Sequence, residues 1–297
     1  MRGAQFGAAG ALTGAALFWA ANYVVAGLVI GALDPYSLAF LRWGFAAIIL
    51  LVLAQLLERP DWRLVLRRLP RLVLLSSLGM VSFALFLYIG LQTTTPVSAS
   101  LVSSMGPVLI AITATIVLRE RPGPRQWGGL ALALVGVLLV ISRGSLETIL
   151  GRGLAVGDLW VVVATIAWTA YTVLSRRPIG LPPLTSTAVQ AGAAAVILGV
   201  IVAFTGLALP ADAATWGGLA VIVVLSSALA YLCWNLGLIR VPAAVAGIFL
   251  NLIPVFTVVM ELLIGSVVTW AEWFGGALVL GGVLLATLQL QRRSRAR

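Results

Sequence analysis

The chain alternates between long apolar runs and short polar breaks from its start to residue 290. A helix crosses the hydrocarbon core of a bilayer in about 20 mostly apolar residues, and the runs repeat at that length. They predict ten membrane-spanning helices, over 8–31, 36–57, 70–91, 96–118, 125–142, 154–175, 184–206, 215–238, 242–264 and 271–290. The breaks carry Asp34-Pro35, Arg59-Pro60-Asp61, Thr95-Pro96, Pro122-Gly123-Pro124, Pro182-Pro183, Pro210 and Pro242, residues that end helices or open turns. A barrel strand would alternate polar and apolar positions over about ten residues. These runs are apolar throughout, so the predicted class is an all-α integral membrane protein.

The runs are also duplicated. Ser100–Gly136 returns 147 positions later as Gly247–Val283, with Pro107-Val108 on Pro254-Val255 and Gly128-Gly129 on Gly275-Gly276. Trp19 matches Trp168 at 149, Gly44 matches Gly192 at 148, and Gly90-Leu91 matches Gly237-Leu238 at 147. The halves are 1–148 and 149–297, the second ending in a basic tail. Five spans per half is an odd number, so the halves enter the membrane from opposite sides. Two inverted five-helix repeats in one membrane domain are the architecture of many secondary transporters, with the solute bound near the midplane between them.

Composition bears on the solvent and the orientation. The chain is 61% hydrophobic and 9% charged, with a mean hydropathy of +1.11, whereas soluble domains carry about 25% charged residues. The net charge is +10, and all 19 basic residues are Arg. They sit in short connections and at the tail, not on one module, which argues against nucleic acid as a partner. With the N-terminus inside, 16 of them fall on the inner side, Arg143 and Arg152 fall outside, and Arg42 lies within a span. Both termini are therefore expected in the cytoplasm. Cys233 is the only cysteine, so no intrachain disulfide or cysteine-based metal site can form. The start lacks the charged region and cleavage site of a removable signal peptide, so the first span is expected to stay.

The LFWAANYVVA start, the SLAFLR of the second span, and the proline-centred fourth span running into a charged turn and QWGG resemble the EamA-type, ten-helix branch of the drug/metabolite transporter superfamily. The resemblance covers nearly the whole chain. It implies a bacterial inner-membrane exporter of amino acids, aromatic ones among them, and related metabolites. It further implies a cavity lined by spans 1–4 and 6–9, with spans 5 and 10 at the periphery. One departure is plain: the Gly-Glu turn usual after the fourth and ninth spans reads Arg119-Glu120 in the first half and Gly265-Ser266 in the second.

Polar residues inside a membrane are costly, which makes each a candidate for function. Trp19, Asn22 and Tyr23 share one face of span 1 by their spacing. Trp168, Tyr171 and Thr172 repeat that triangle on span 6, and Tyr231, Trp234 and Asn235 on span 8. Tyr88 aligns with Asn235, with Ser82 two turns earlier, and Ser104 aligns with Asn251. Aromatic walls and a few hydrogen-bonding groups suit a zwitterion with a variable side chain. The alternative is that these aromatics anchor at the interface while Ser and Asn join helices; for Trp62, Trp216, Trp270 and Trp273, near span ends, that alternative is preferred. Arg42 and Glu261 lie inside spans 2 and 9, Arg42 about 9 Å from the outer end. They either face one outer vestibule, pairing or binding solute or protons, or snorkel to headgroups. Pro107 and Pro254 each remove a backbone donor, giving a flexing kink or a static bend. Gly10 and Gly14, Gly27 and Gly31, and the Gly pairs of span 10 predict close helix approach. Spans 5 and 10 are nearly free of polar groups, consistent with lipid contact or a homodimer, the alternative to a monomer.

No Walker motif is present, so this chain does not hydrolyse ATP. Without His, and with no Asp in mid-span, a membrane protease, transferase or zinc enzyme lacks its parts; no cofactor is expected. A channel would show a ring of charge or a filter. The reading is a secondary exporter working by alternating access, with a nucleotide-sugar or drug transporter of the same superfamily as the alternative.

Overall fold

A computed structural model describes residues 2–30, 32–94, 99, 102–142, 155–263 and 270–295. Every regular element among them is helical, as expected where no water is available to satisfy backbone groups. The elements are α1 (Arg2–Val29), α2 (Pro35–Leu57), α3 (Trp62–Ser76), α4 (Phe83–Leu91), α5 (Gly106–Val117), α6 (Pro124–Ser142), α7 (Val156–Ser175), α8 (Pro183–Thr205), α9 (Ala213–Val221), α10 (Ala230–Leu238), α11 (Ala243–Ile248), α12 (Leu252–Leu263) and α13 (Trp270–Arg295). A π-helical segment, Ser77–Ser82, joins α3 to α4, and another, Ile222–Leu229, joins α9 to α10. Among the described residues seven helices are long and apolar enough to cross a membrane, and Gly106–Val117, Pro124–Leu139 and Trp273–Ala286 are shorter apolar helices. Ile116 is 74% and Phe204 88% exposed, which only a lipid solvent tolerates on this scale.

Caps, not hydropathy, set the helix ends. The third apolar run begins near residue 70, yet its helix starts at Trp62 because the Asp61 carboxylate accepts the Arg63 and Leu64 N–H groups. The added turns are amphipathic: Val65 and Leu72 are buried while Arg63, Arg67 and Arg68 are exposed. Asp34 caps α2 in the same way. The Thr215 backbone N–H and hydroxyl bound to Asp212 hold that carboxyl below its usual range at the start of α9.

Both prolines, expected to give a flexing kink or a static bend, sit just after a break in the regular α ladder. The chain turns at Ser104–Met105 and restarts as α5, with Pro107 in its first turn. In the second half α11 gives way to a 3₁₀ turn, Phe249–Asn251, and Pro254 lies in the first turn of α12. A proline removes the donor owed to the carbonyl four residues earlier, so each interruption falls just before it.

Contacts recur at the spacing of the sequence repeat. A Cβ on Gly90 would meet the Gly157 carbonyl and Val161, and one on Gly237 would meet Leu12 and the Ala8 carbonyl; these contacts of α4 with α7 and α10 with α1 are counterparts. The most extensive pairings join α6 to α13 and α2 to α8. A Cβ on Gly129 would lie 2.5 Å from the Gly282 carbonyl, and one on Gly136 2.5 Å from that of Gly275, so α6 and α13 cross antiparallel at backbone distance. The expected close approach at Gly10 and Gly14 is not found among the described residues: nothing lies within 4 Å of a Cβ on Gly10, and a Cβ on Gly14 would lie 3.8 Å from the Cys233 Sγ. Gly237 supplies the contact there instead. The second expected pair, Gly27 and Gly31, reaches outside the described residues.

Candidate functional site

Seven buried or half-buried rings meet at the centre of the bundle. Trp19 of α1 lies 5.0 Å from Trp168 of α7, 5.5 Å from Trp234 and 5.6 Å from Tyr231 of α10, between ring centroids. Trp168 also touches Trp234 at 5.5 Å, Tyr171 at 5.2 Å and Phe83 at 5.1 Å, and Tyr231 stands edge-on to Trp43 at 4.9 Å. Trp19, Trp43 and Phe83 come from the first half of the chain and the rest from the second. Mid-span aromatics picked out by helical spacing are thus brought together, packed on one another.

The polar groups around the rings are fastened to the two π-helical segments. A π turn breaks the regular i to i+4 ladder, and carbonyls of both segments accept side-chain donors from elsewhere. Tyr231 donates its hydroxyl to the Gly79 carbonyl at 2.6 Å, and Trp43 its Nε1 to that of Met80 at 2.9 Å. In the second segment the Ser226 carbonyl accepts Trp19 Nε1 at 3.1 Å and Arg42 Nη2 at 3.3 Å. Gly79 and Ser226 are 147 positions apart, the repeat spacing. Tyr231→Phe would strand the buried Gly79 carbonyl at a cost of about 1–3 kcal/mol. A lower melting temperature in detergent is the expected result, and an unchanged one would show that the bond does not stabilise the fold.

Arg42 is 3% exposed and does not snorkel. Its Nε donates to Ser227 Oγ at 2.6 Å and its Nη1 to the Tyr88 hydroxyl at 2.8 Å, and the guanidinium carbon stands 5.1 Å over the Trp43 ring. Glu261 is on α12, but its side chain lies outside the described residues, as does that of Tyr23. Tyr171 donates to Asn235 Oδ1 at 2.9 Å, and Asn235 Nδ2 to Thr187 Oγ1 at 3.0 Å. Asn22 Oδ1, Thr172 Oγ1, Trp234 Nε1 and Asn251 Nδ2 are buried without a protein partner among the described residues, so donors and acceptors remain open there for a solute or water. Ser104 and Pro107 are buried, and Ser82 and Pro254 half-buried. No cluster of three or more His, Cys, Asp or Glu side chains that could hold a metal forms among the described residues.

Two carboxylates join the halves, Glu58, passed over in the sequence, and Glu120 of the turn after the fourth span. Glu58 accepts the Leu184 and Thr185 N–H groups at 3.1 and 2.6 Å and the Thr185 hydroxyl at 2.6 Å, capping α8. Glu120 accepts those of Ala243 and Ala244 at 2.9 and 3.2 Å, capping α11. Beside them Arg59 and Arg119 adopt left-handed backbone, with φ of 49° and 55°, so Arg119 occupies a conformation that favours glycine. Arg71 donates to the carbonyls of Leu174, Arg177 and Pro178 on the same side. Trp43, Ser226 and Ser227 were also passed over; the adjacent serines stand out only once the repeat sets them on Gly79-Met80.

The EamA-like transporter family model matches residues 6–142 and 155–288. The uncharacterized transporter YyaM of Bacillus subtilis is 31% identical over 280 residues, 93% of this chain and 92% of its own length. A protein of Chlamydia muridarum named as an S-adenosylmethionine/S-adenosylhomocysteine transporter is 29% identical over 192 residues, 63% of this chain and 59% of its own. A solved crystal structure 21% identical to this chain superposes with a TM-score of 0.80 over 98% of this chain and 99% of its own, a likeness of fold.

Proposed function

Because the chain belongs to the EamA-like transporter family and is a multi-pass membrane protein, we propose that it is a secondary transporter exporting amino acids, aromatic ones among them, and related small metabolites across the bacterial inner membrane. In this reading ten spans form two inverted five-helix repeats, 1–148 and 149–297, and the solute crosses where they meet. The observation that carries it is the ring cluster shared by both halves, with Trp19 on Trp168 at 5.0 Å. A solute with a flat side chain replaces ring–ring contacts by ring–solute contacts of similar worth, and the unpartnered buried polar atoms serve its ends. The test is counterflow of radiolabelled amino acids into proteoliposomes: saturable, competitor-stimulated uptake is expected, and linear flux would point to a channel. Unlabelled S-adenosylmethionine belongs among the competitors, given the chlamydial relative.

Alternating access needs gates, and the Glu58 and Glu120 caps suit the inner one. Both join the halves through connections that the arginine count assigns to the cytoplasm, and each holds a carboxylate at a helix N-terminus, where the helix dipole favours it. The repeat places no carboxylate opposite them, since Glu58 falls on Thr205-Gly206. Glu58→Gln with Glu120→Gln is expected to raise labelling of a cysteine placed at buried Ala246, in a Cys233→Ser background, by an impermeant maleimide in inside-out vesicles. Labelling no faster than in the parent would refute an inner gate.

A further inference from the structure

We propose that Arg42 is the anion-reading group of this site, so that the transported solute must carry a carboxylate or an oxyanion of that size. This rests on the reading of the chain as a transporter whose solute meets the ring cluster.

A guanidinium has five N–H donors and no acceptor. Three of the five are used here, on Ser227 Oγ, the Tyr88 hydroxyl and the Ser226 carbonyl. One N–H of each terminal nitrogen is left without a partner among the described residues, the kind of pair that a carboxylate can bridge. All three acceptors are neutral, so among the described residues no carboxylate matches the charge. Removing an ion from water is costly even with good partners, and the cost is retained in membranes mainly where the charge has work to do.

Tethering α2 to the second π segment does not account for it. That tether needs hydrogen-bond donors, and a neutral amide would supply two without the cost of burying a charge. The position is also the right one: Arg42 and Trp19 share the Ser226 carbonyl, and Trp43 stacks beneath the guanidinium while touching Tyr231. An anion seated on Arg42 therefore places the rest of its solute on the rings. Among the described residues the titratable side chain bonded to the guanidinium is the neutral hydroxyl of Tyr88, which leaves charge recognition there to Arg42.

The experiment is amino-acid counterflow into proteoliposomes of the full chain, competed by indole-3-acetate, which lacks the ammonium, and tryptamine, which lacks the carboxylate. Wild type is expected to be inhibited by indole-3-acetate and far less by tryptamine. Arg42→Gln is expected to raise the half-saturation concentration about 10- to 100-fold, the range for losing a charged hydrogen-bond partner, and to lose the preference for indole-3-acetate. Arg42→Lys, which keeps the charge without the fork, is expected to keep that preference with a smaller rise, and it decides the matter if the Gln variant does not fold. Tryptamine competing as well as indole-3-acetate in wild type, or in Arg42→Lys, would overturn the inference while leaving the transport reading in place. No saturable counterflow of any amino acid by wild type would overturn both.

Discussion

Gly282→Val is expected to leave no monodisperse protein after detergent extraction, while Gly281→Val, one residue away, leaves yield and elution unchanged. A Cβ on Gly282 would lie 2.5 Å from the Gly129 carbonyl and 2.7 Å from the Ala133 amide. Both are backbone atoms of α6, so only displacement of a whole helix makes room. A Cβ on Gly281 would meet Leu132 Cδ2 at 3.6 Å, an ordinary contact that a side-chain torsion relieves. Overpacking a core costs about 1–3 kcal/mol when side chains can adjust, and more when, as here, they cannot. The two substitutions add the same atoms to the same apolar helix, so hydropathy and insertion cannot explain a difference. Size-exclusion profiles of both variants, with equal yields for Gly282→Val and wild type, would show that α6 and α13 do not approach as closely as described.

That contact was only half legible in the sequence. The glycine pairs on span 10 mark a helix able to approach another closely, but they do not say which partner it faces. Gly10 and Gly14 carry the same signature and meet nothing tight. Helix position was easier to read, because a bilayer demands uninterrupted apolar length and the runs supply it. The ends were misjudged where the helix continues past the membrane: Trp62–Arg71 is amphipathic, and its start is fixed by the Asp61 cap. The interruptions before Pro107 and Pro254 were marked by the prolines, although their place follows from the carbonyls left without donors, one turn earlier.

At the site, the rings were legible because an aromatic in mid-span is out of place as an anchor. Their hydrogen-bond partners were not. Ser226 and Ser227 lie 184 and 185 positions from Arg42, and the carbonyls that accept from Trp19, Trp43 and Tyr231 belong to π turns, whose presence in a uniformly apolar run leaves no mark on hydropathy. Glu58 drew no reading, and Glu120 entered only as part of the turn after the fourth span. What they hold, the amides of α8 and α11, is tertiary.

Trp19→Ala is expected to abolish saturable counterflow, while Trp19→Phe retains it with a half-saturation concentration raised only several-fold. The indole makes three ring contacts at 5.0–5.6 Å and one hydrogen bond. Ring pairs contribute about 0.5–1.5 kcal/mol each beyond their buried area, and truncating a buried tryptophan costs about 3–5 kcal/mol. Phenylalanine keeps a ring in the cluster and gives up the N–H, and Arg42 still donates to the Ser226 carbonyl. The order Ala far below Phe therefore separates loss of the aromatic wall from loss of the hydrogen bond. Trp168→Ala should behave like Trp19→Ala, since the repeat sets the two at one point from opposite halves. Trp270, 67% exposed, is the control, and its replacement by alanine should leave transport unchanged. Melting curves taken on the same samples distinguish a folded, inactive carrier from an unfolded one. A folded Trp19→Ala protein with wild-type counterflow would move the solute's path away from the rings, because no other buried group touches as much of the cluster from the first half of the chain.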